Sequence, residues 1–178
     1  MATRDLILIL DFGSQYTQLI ARRIRELGIF SLVQPYNIST SKIRELNPKG
    51  VVLSGGPNSA NFSKTLRPRK DIFNLKIPIL GICYGHQILA KKFGGKIKVS
   101  KHREFGKAIL KAKSNSILTK NFFKSKKSLV WMSHQDIVQK LPKGFKTLAS
   151  SQNSKFAVIA NDKLKYYGVQ FHPEVSHT

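Results

Sequence analysis

Leu6–Leu10 is an unbroken apolar run, the pattern of a strand buried on both faces of a parallel sheet. Over Tyr16–Leu27 the spacing becomes helical. Leu19, Ile20, Ile24 and Leu27 fall on one stripe, and Gly28 follows as a stop. Ser31–Gln34 reads as a second strand, Ser41–Leu46 as a short helix, Gly50–Leu53 as a third strand and Ile77–Ile82 as a fourth. A helical pattern, Ile88–Phe93, comes next. Strands alternating with helices predict an α/β fold built on an open, mostly parallel sheet with flanking helices. After Gly94-Gly95 the rhythm changes. Lys96–Ser100, Lys107–Ala112, Ser128–Met132, Thr147–Ser150, Ala157–Asn161 and Leu164–Gln170 read as strands separated by turn signals. The C-terminal half is therefore expected to be β-rich and partly antiparallel. No repeat, low-complexity segment or evident linker interrupts the pattern, so residues 1–178 are read as one domain.

The turn after Ile77–Ile82 carries the first chemistry. Cys83, the only cysteine of the chain, stands in Gly81-Ile82-Cys83-Tyr84-Gly85-His86-Gln87. Strand, tight turn and helix with glycine on both sides of a thiol form the cysteine version of the Gly-x-Ser-x-Gly nucleophile elbow. A helix N-terminus behind the sulfur favours a thiolate. A lone cysteine is also often a small core residue, and the elbow alone leaves both readings open. The end of the chain changes the balance. In Phe171-His172-Pro173-Glu174, proline keeps the residue before it extended. Residues two apart then point to one side, so His172 and Glu174 can lie together. Cysteine, histidine base and acidic orienter make a complete nucleophilic triad.

Ligands of open α/β sheets bind outside the carboxyl ends of the strands. Leu53 ends one strand just before Ser54-Gly55-Gly56-Pro57-Asn58, and Ile82 ends another just before Cys83. The Ser54–Asn58 loop therefore reads as part of the same rim, its glycines allowing close backbone approach and one half of an oxyanion hole.

Composition narrows the setting. Lys and Arg number 31 against 9 Asp and Glu, a formal net charge of +22. Residues 91–127 hold 13 of these cations and one acid, Glu104. Such a balance suggests nucleic acid, yet the lysines are dispersed, and no nucleic-acid motif or aromatic stacking signature accompanies them. Lysine enrichment by genome composition is the simpler account, with an acidic partner surface as a third. No stretch approaches a membrane span, and Met1–Asp5 lacks a signal-peptide layout. One cysteine cannot form an internal disulfide. The expected compartment is the cytoplasm. No Cys/His cluster has zinc spacing, and no metal site is expected.

The elbow and the C-terminal His-Pro-Glu resemble those of the class I (triad) glutamine amidotransferases. Five blocks in family order, including Asp11–Glu26, Ser54–Ser59, Arg103-Glu104-Phe105-Gly106 and Trp131-Met132-Ser133-His134, are similar to the amidotransferase domain of GMP synthetases. The likeness runs from about Leu6 to Thr178. Position 86 holds histidine where those synthetases often carry methionine, and histidine is familiar there in other class I members. The resemblance implies hydrolysis of L-glutamine to glutamate and ammonia by Cys83, His172 and Glu174, with the N–H groups of Gly56 and Tyr84 as oxyanion hole. It also implies substrate contacts from Gln87, Ser133 and His134; a structural hydrogen bond would equally explain His134. His86, His102 and His177 are given no catalytic role. No cofactor is expected for this domain. The ammonia would aminate xanthosine monophosphate (XMP) to GMP in an ATP pyrophosphatase domain or subunit using Mg-ATP, and nothing in the chain resembles that unit. The opening motif looks more like the fused enzymes, so a piece of a longer chain is expected. Two other readings remain: a same-fold cysteine hydrolase of another amide, and a non-enzymatic basic binding module.

Overall fold

A computed structural model describes residues 5–57, 59–60, 65–123 and 125–178, without the side chains of Lys101 and His102. Asn58 of the predicted loop, Met1–Arg4 and the His102 side chain thus lie outside the described residues.

The strands are β1 (Leu6–Asp11), β2 (Phe30–Pro35), β3 (Gly50–Leu53), β4 (Ile79–Ile82), β5 (Lys96–Ala112), β6 (Lys127–Lys140), β7 (Lys146–Ser150), β8 (Val158–Asn161) and β9 (Tyr166–Val169). They form a single sheet in the order β2-β1-β3-β4-β9-β8-β7-β5-β6. The run from β2 to β9 is parallel. From β9 to β6 every pairing is antiparallel. The last strand in sequence thus returns to the centre of the sheet beside β4, and the rim of the parallel half receives its residues from both ends of the chain.

Among the described residues three α-helices cover the parallel half: α1 (Thr17–Glu26), α2 (Thr40–Leu46) and α3 (Tyr84–Lys92). Alternate residues of β1 serve opposite faces. Leu8 and Leu10 pack with Ile43 of α2 and Leu89 of α3, while Ile9 packs with Ile20 and Ala21 of α1. Burial on both sides explains why β1 reads as an unbroken apolar run. Ser39 caps α2 by accepting from the Lys42 N–H at 3.2 Å, and Asn47 ends it in the left-handed conformation. Among the described residues no helix is long and apolar enough to cross a membrane.

The antiparallel half departs from the expected boundaries. Lys96–Ser100 and Lys107–Ala112 belong to one 17-residue strand, and β6 continues well past Met132 to Lys140. Two features hid this. Gly106 has φ +94° and reads as a turn. The inner face of the ribbon carries Glu104 opposite His134, so the expected apolar alternation is broken by a buried polar pair.

The elbow is sterically defined. Cys83 has φ 51° and ψ −101°, a region that costs a non-glycine residue about 1–3 kcal/mol. A Cβ on Gly81 would come 2.5 Å from the backbone of Gly85, and a Cβ on Gly85 would collide with the Leu53 carbonyl. The two glycines are therefore required by close packing of β4, α3 and β3, beyond any need for flexibility. Gly85→Ala is expected to lower the melting temperature by roughly 6–12 °C, the equivalent of an overpacking cost of about 3 kcal/mol. An unchanged thermal unfolding curve would show that the backbones are not in contact.

Behind the elbow, His86 is fully buried, and its Nδ1 touches the position a Cβ on Gly168 would take. Burial first, then the neighbouring His134, hold its pKa down at about 3, offset only slightly by the nearby Phe156 backbone. Neither ring nitrogen has a hydrogen bond of normal geometry among the described residues. The folded protein thus keeps His86 neutral. Between its ordinary 6.5 and about 3, the unfolded chain binds a proton that the native state refuses, which removes about 1.4 kcal/mol of stability per pH unit as pH falls. His86→Met should flatten the acid limb of a stability–pH profile measured by urea unfolding. An unchanged limb would remove His86 as its cause.

Candidate active site

Cys83 sits at the mouth of a cleft of about 450 Å³, within the size range of small-molecule sites. The Cys83 N–H donates to Val169 O at 2.8 Å, and Cys83 O accepts from the Gln87 N–H at 3.2 Å. Cys83 is thereby tied both to the end of β9 and to the first turn of α3. Its thiol is 3.6 Å from Ser133 O, and Gln170 Nε2 lies 3.8 Å from the sulfur.

His172 follows β9 directly and is 4% exposed. Its N–H donates to Trp131 O at 3.0 Å, and its own carbonyl accepts from Thr178 Oγ1 at 2.7 Å. The ring is held between two groups: Nδ1 is 2.7 Å from Glu174 Oε1, and the Tyr16 ring stands edge-on with centroids 5.4 Å apart. Burial opposes a charge on this imidazole. The Cys83 sulfur and the Glu174 carboxylate overcome that penalty and raise its pKa to about 10. The charged ring is therefore favoured at neutral pH, and the stability it contributes is complete below the ordinary 6.5 and is lost progressively as pH rises to about 10. Glu174 is itself held from outside, its backbone carbonyl accepting from Arg23 Nε at 3.0 Å. Among the described residues its Oε2 has no hydrogen-bond partner.

Ser54–Pro57 leaves β3 at the same rim. The Ser54 hydroxyl accepts from the Phe12 N–H at 3.0 Å and donates to Gly55 O at 2.8 Å, which locks the loop. Gly56 is wedged between Phe12 and Tyr84; an added Cβ would meet the Phe12 carbonyl at 2.9 Å and the Tyr84 ring at 3.3 Å. Tyr84 opens α3, so its N–H precedes the helix's own bonding pattern. Its hydroxyl donates to Leu66 O at 2.6 Å.

The cleft wall opposite the elbow is β6. Ser133, His134, Gln135 and Asp136 line it with Gln87, Ser59, Val99 and Phe105. Gln87 Nε2 donates to Asp136 O at 2.8 Å, so this side chain braces α3 against β6 as well as facing the cleft. His134 is buried with its Nε2 3.2 Å from Glu104 Oε2, which also accepts from Ser151 Oγ at 3.0 Å. His134 also lines the cleft, so it stands both beside Glu104 and at the wall, and neither of its ring nitrogens has a hydrogen bond of normal geometry among the described residues. His86 and His177 stand apart from the triad: His86 is in the core and His177 lies against Trp131. The sequence reading assigned no role to Tyr16, Arg23, Ser59 or Asp136. For Asp136, buried with its carboxylate receiving the Ser59 hydroxyl, a signal existed: it is an acid in a chain with only nine. Among the described residues no group of three or more His, Cys, Asp or Glu is arranged to hold a metal.

The family description "Glutamine amidotransferase class-I" matches residues 8–178. The chain is 50% identical over 174 residues to a Bacillus cereus protein named GMP synthase [glutamine-hydrolyzing], covering 98% of this chain and 34% of that one. It is 49% identical over 172 residues to the Campylobacter lari protein of the same name, covering 97% and 33%. The chain thus spans about a third of the length of these curated relatives. A crystal structure from Thermoplasma acidophilum, described as that of a candidate GMP synthase subunit, superposes with a TM-score of 0.84 at 32% identity, over 98% of this chain and 87% of that one. A Thermotoga maritima glutamine amidotransferase shares the fold at a TM-score of 0.75 and 24% identity, over 97% and 77% of the two chains. The chain belongs to the class I glutamine amidotransferases.

Proposed function

We propose that this chain hydrolyses L-glutamine and supplies the ammonia to a synthetase unit that aminates XMP to GMP. The buried His172–Glu174 pair beside the Cys83 elbow is the observation that supports the chemistry; the likeness to glutamine-hydrolysing GMP synthases supports the acceptor. Cys83 Sγ attacks the carboxamide carbon of glutamine, and the amide C=O electrons move onto oxygen. The N–H groups of Gly56 and Tyr84 receive that oxyanion, each at about 3 kcal/mol by analogy with similar donors. Collapse of the intermediate breaks the C–N bond, and His172 gives its proton to the leaving ammonia. Water then attacks the thioester and loses a proton to His172; glutamate leaves and the sulfur is restored. Glu174 fixes the ring and balances its charge through both steps. Gln87 and Ser133 form the wall against which the substrate lies, and His134 holds that wall through Glu104. The chain's own chemistry needs no cofactor; Mg-ATP would serve the synthetase unit. The cytoplasm is the proposed compartment, where the single thiol stays reduced.

Cys83→Ala is expected to reduce glutamate release by roughly four orders of magnitude or more, with His172→Ala nearly as damaging and Glu174→Ala roughly 100-fold milder. Residual turnover near wild type in a folded Cys83→Ala protein would overturn the nucleophile assignment. A glutamine-like electrophile should label Cys83 alone, as no other thiol is present. Glutamine turnover should also rise on the order of 100-fold when the synthetase unit, Mg-ATP and XMP are all present, because a rim loop displaced by ~1 Å costs about that much. Equal glutamate release with and without them, in a complex shown to form, would mark an autonomous glutaminase.

A further inference from the structure

Among the described residues, the outer face of the β5–β6 ribbon is covered within the fold only at Trp131, against which the His177 ring lies. Paired residues of the two strands point to the same side. The inward set, Leu110, Val130 and Met132, is fully buried. The outward set pairs Phe105 with Ser133, Lys107 with Trp131, Ile109 with Leu129 and Lys111 with Lys127. Along it Phe105 is 64% exposed, Ile109 55% and Leu129 48%. Arg103, Lys107, Lys111 and Lys127 surround this apolar strip, and among the described residues none of the four is in an ion pair. β6 is the edge of the sheet. One end of the strip opens directly onto the catalytic cleft: Phe105 lines both the cleft and the outer groove, and Ser133, its cross-strand neighbour, lines the cleft with its carbonyl beside the Cys83 sulfur.

We propose that this face docks the synthetase unit, through a partner surface with an apolar centre and an acidic rim. The inference rests on the glutaminase–synthetase reading above. An exposed aliphatic and aromatic strip of this kind marks a protein-binding surface more readily than a solvated one. The cationic frame selects an acidic complement and speeds encounter. A second copy of this chain is a poor occupant, because it would bring +22 against +22. Nucleic acid is also a poor fit, since its phosphates favour cations and stacking rings, while Ile109 and Leu129 at the centre offer neither. The position adds a functional argument. A partner seated here would cover the mouth of the cleft next to the sulfur where ammonia is released, and would press on Phe105 at the cleft wall.

The test is made on the chain with the synthetase unit of the same organism in its natural arrangement, whether separate or in one polypeptide. Ile109→Glu/Leu129→Glu should cut the stimulation of glutamate release by Mg-ATP and XMP at least 10-fold. GMP formation from added ammonium, and unstimulated glutamine turnover, should stay unchanged. Lys107→Glu/Lys111→Glu, at exposed positions that do not threaten folding, should reduce the stimulation as well, and wild-type stimulation should weaken as salt is raised. Full stimulation in both double variants overturns the docking face and leaves the glutaminase–synthetase reading standing. A wild type that forms no GMP from ammonium and shows no stimulation overturns both. An RNA oligonucleotide whose binding is lost in Lys107→Glu/Lys111→Glu, with stimulation intact, would reassign the face to nucleic acid. A dimer in sedimentation that Ile109→Glu/Leu129→Glu dissociates, with stimulation intact, would reassign it to self-association. Either result overturns the proposal.

Discussion

The rim depends on one contact, the seating of the first turn of α3 against the end of β3. The Gly85 N–H donates to Ser54 O at 3.1 Å, and only a residue without a side chain lets the backbones come this close. The same contact sets two things at once. It holds Cys83 in its unfavourable backbone conformation, and it places the Ser54–Pro57 loop next to the nucleophile. The Cys83 N–H bond to Val169 O then joins this assembly to β9, one residue before Gln170 reaches the sulfur and three before His172. Cys83, the Ser54–Pro57 loop and His172 therefore share a common support, although they lie far apart in sequence.

The electrostatics of the site follow from burial. Glu174 is 3% exposed and His172 4%, so the pair sits where water cannot screen it and each charge needs the other. The strong positive charge of the chain is spread over both halves, with 17 of its 31 Lys and Arg residues in the β-rich half after Gly94. The Oε2 of Glu174 is buried without a hydrogen-bond partner among the described residues, so the carboxylate spends its charge on the imidazole alone through Oε1.

The parallel half was legible in the sequence because its strands are buried on both faces and its helices carry clear stripes, as in Leu6–Leu10 and Leu19–Leu27. The tight turn at Cys83 and the pairing of His172 with Glu174 were legible because each sits in a local pattern: glycines around Cys83, and a proline between His172 and Glu174. Legibility failed where a polar pair takes an inward position. Glu104 and His134 face each other 3.2 Å apart across β5 and β6, without a hydrogen bond of normal geometry to the imidazole among the described residues, and no local rule separates such a pair from two surface residues. Tyr16 and Arg23 were missed for a related reason. They act on residues more than 150 positions away, and only the return of β9 to the centre of the sheet brings them there.

His86 and Gly168 occupy a single shared volume between α3 and β9. Position 168 is not free to drift while the imidazole stays at 86. A larger residue at 168 must be matched by a smaller or more pliant one at 86, and an imidazole at 86 demands glycine at 168. The two sites form one unit of inheritance, and the history of the lineage at one should be readable in the other.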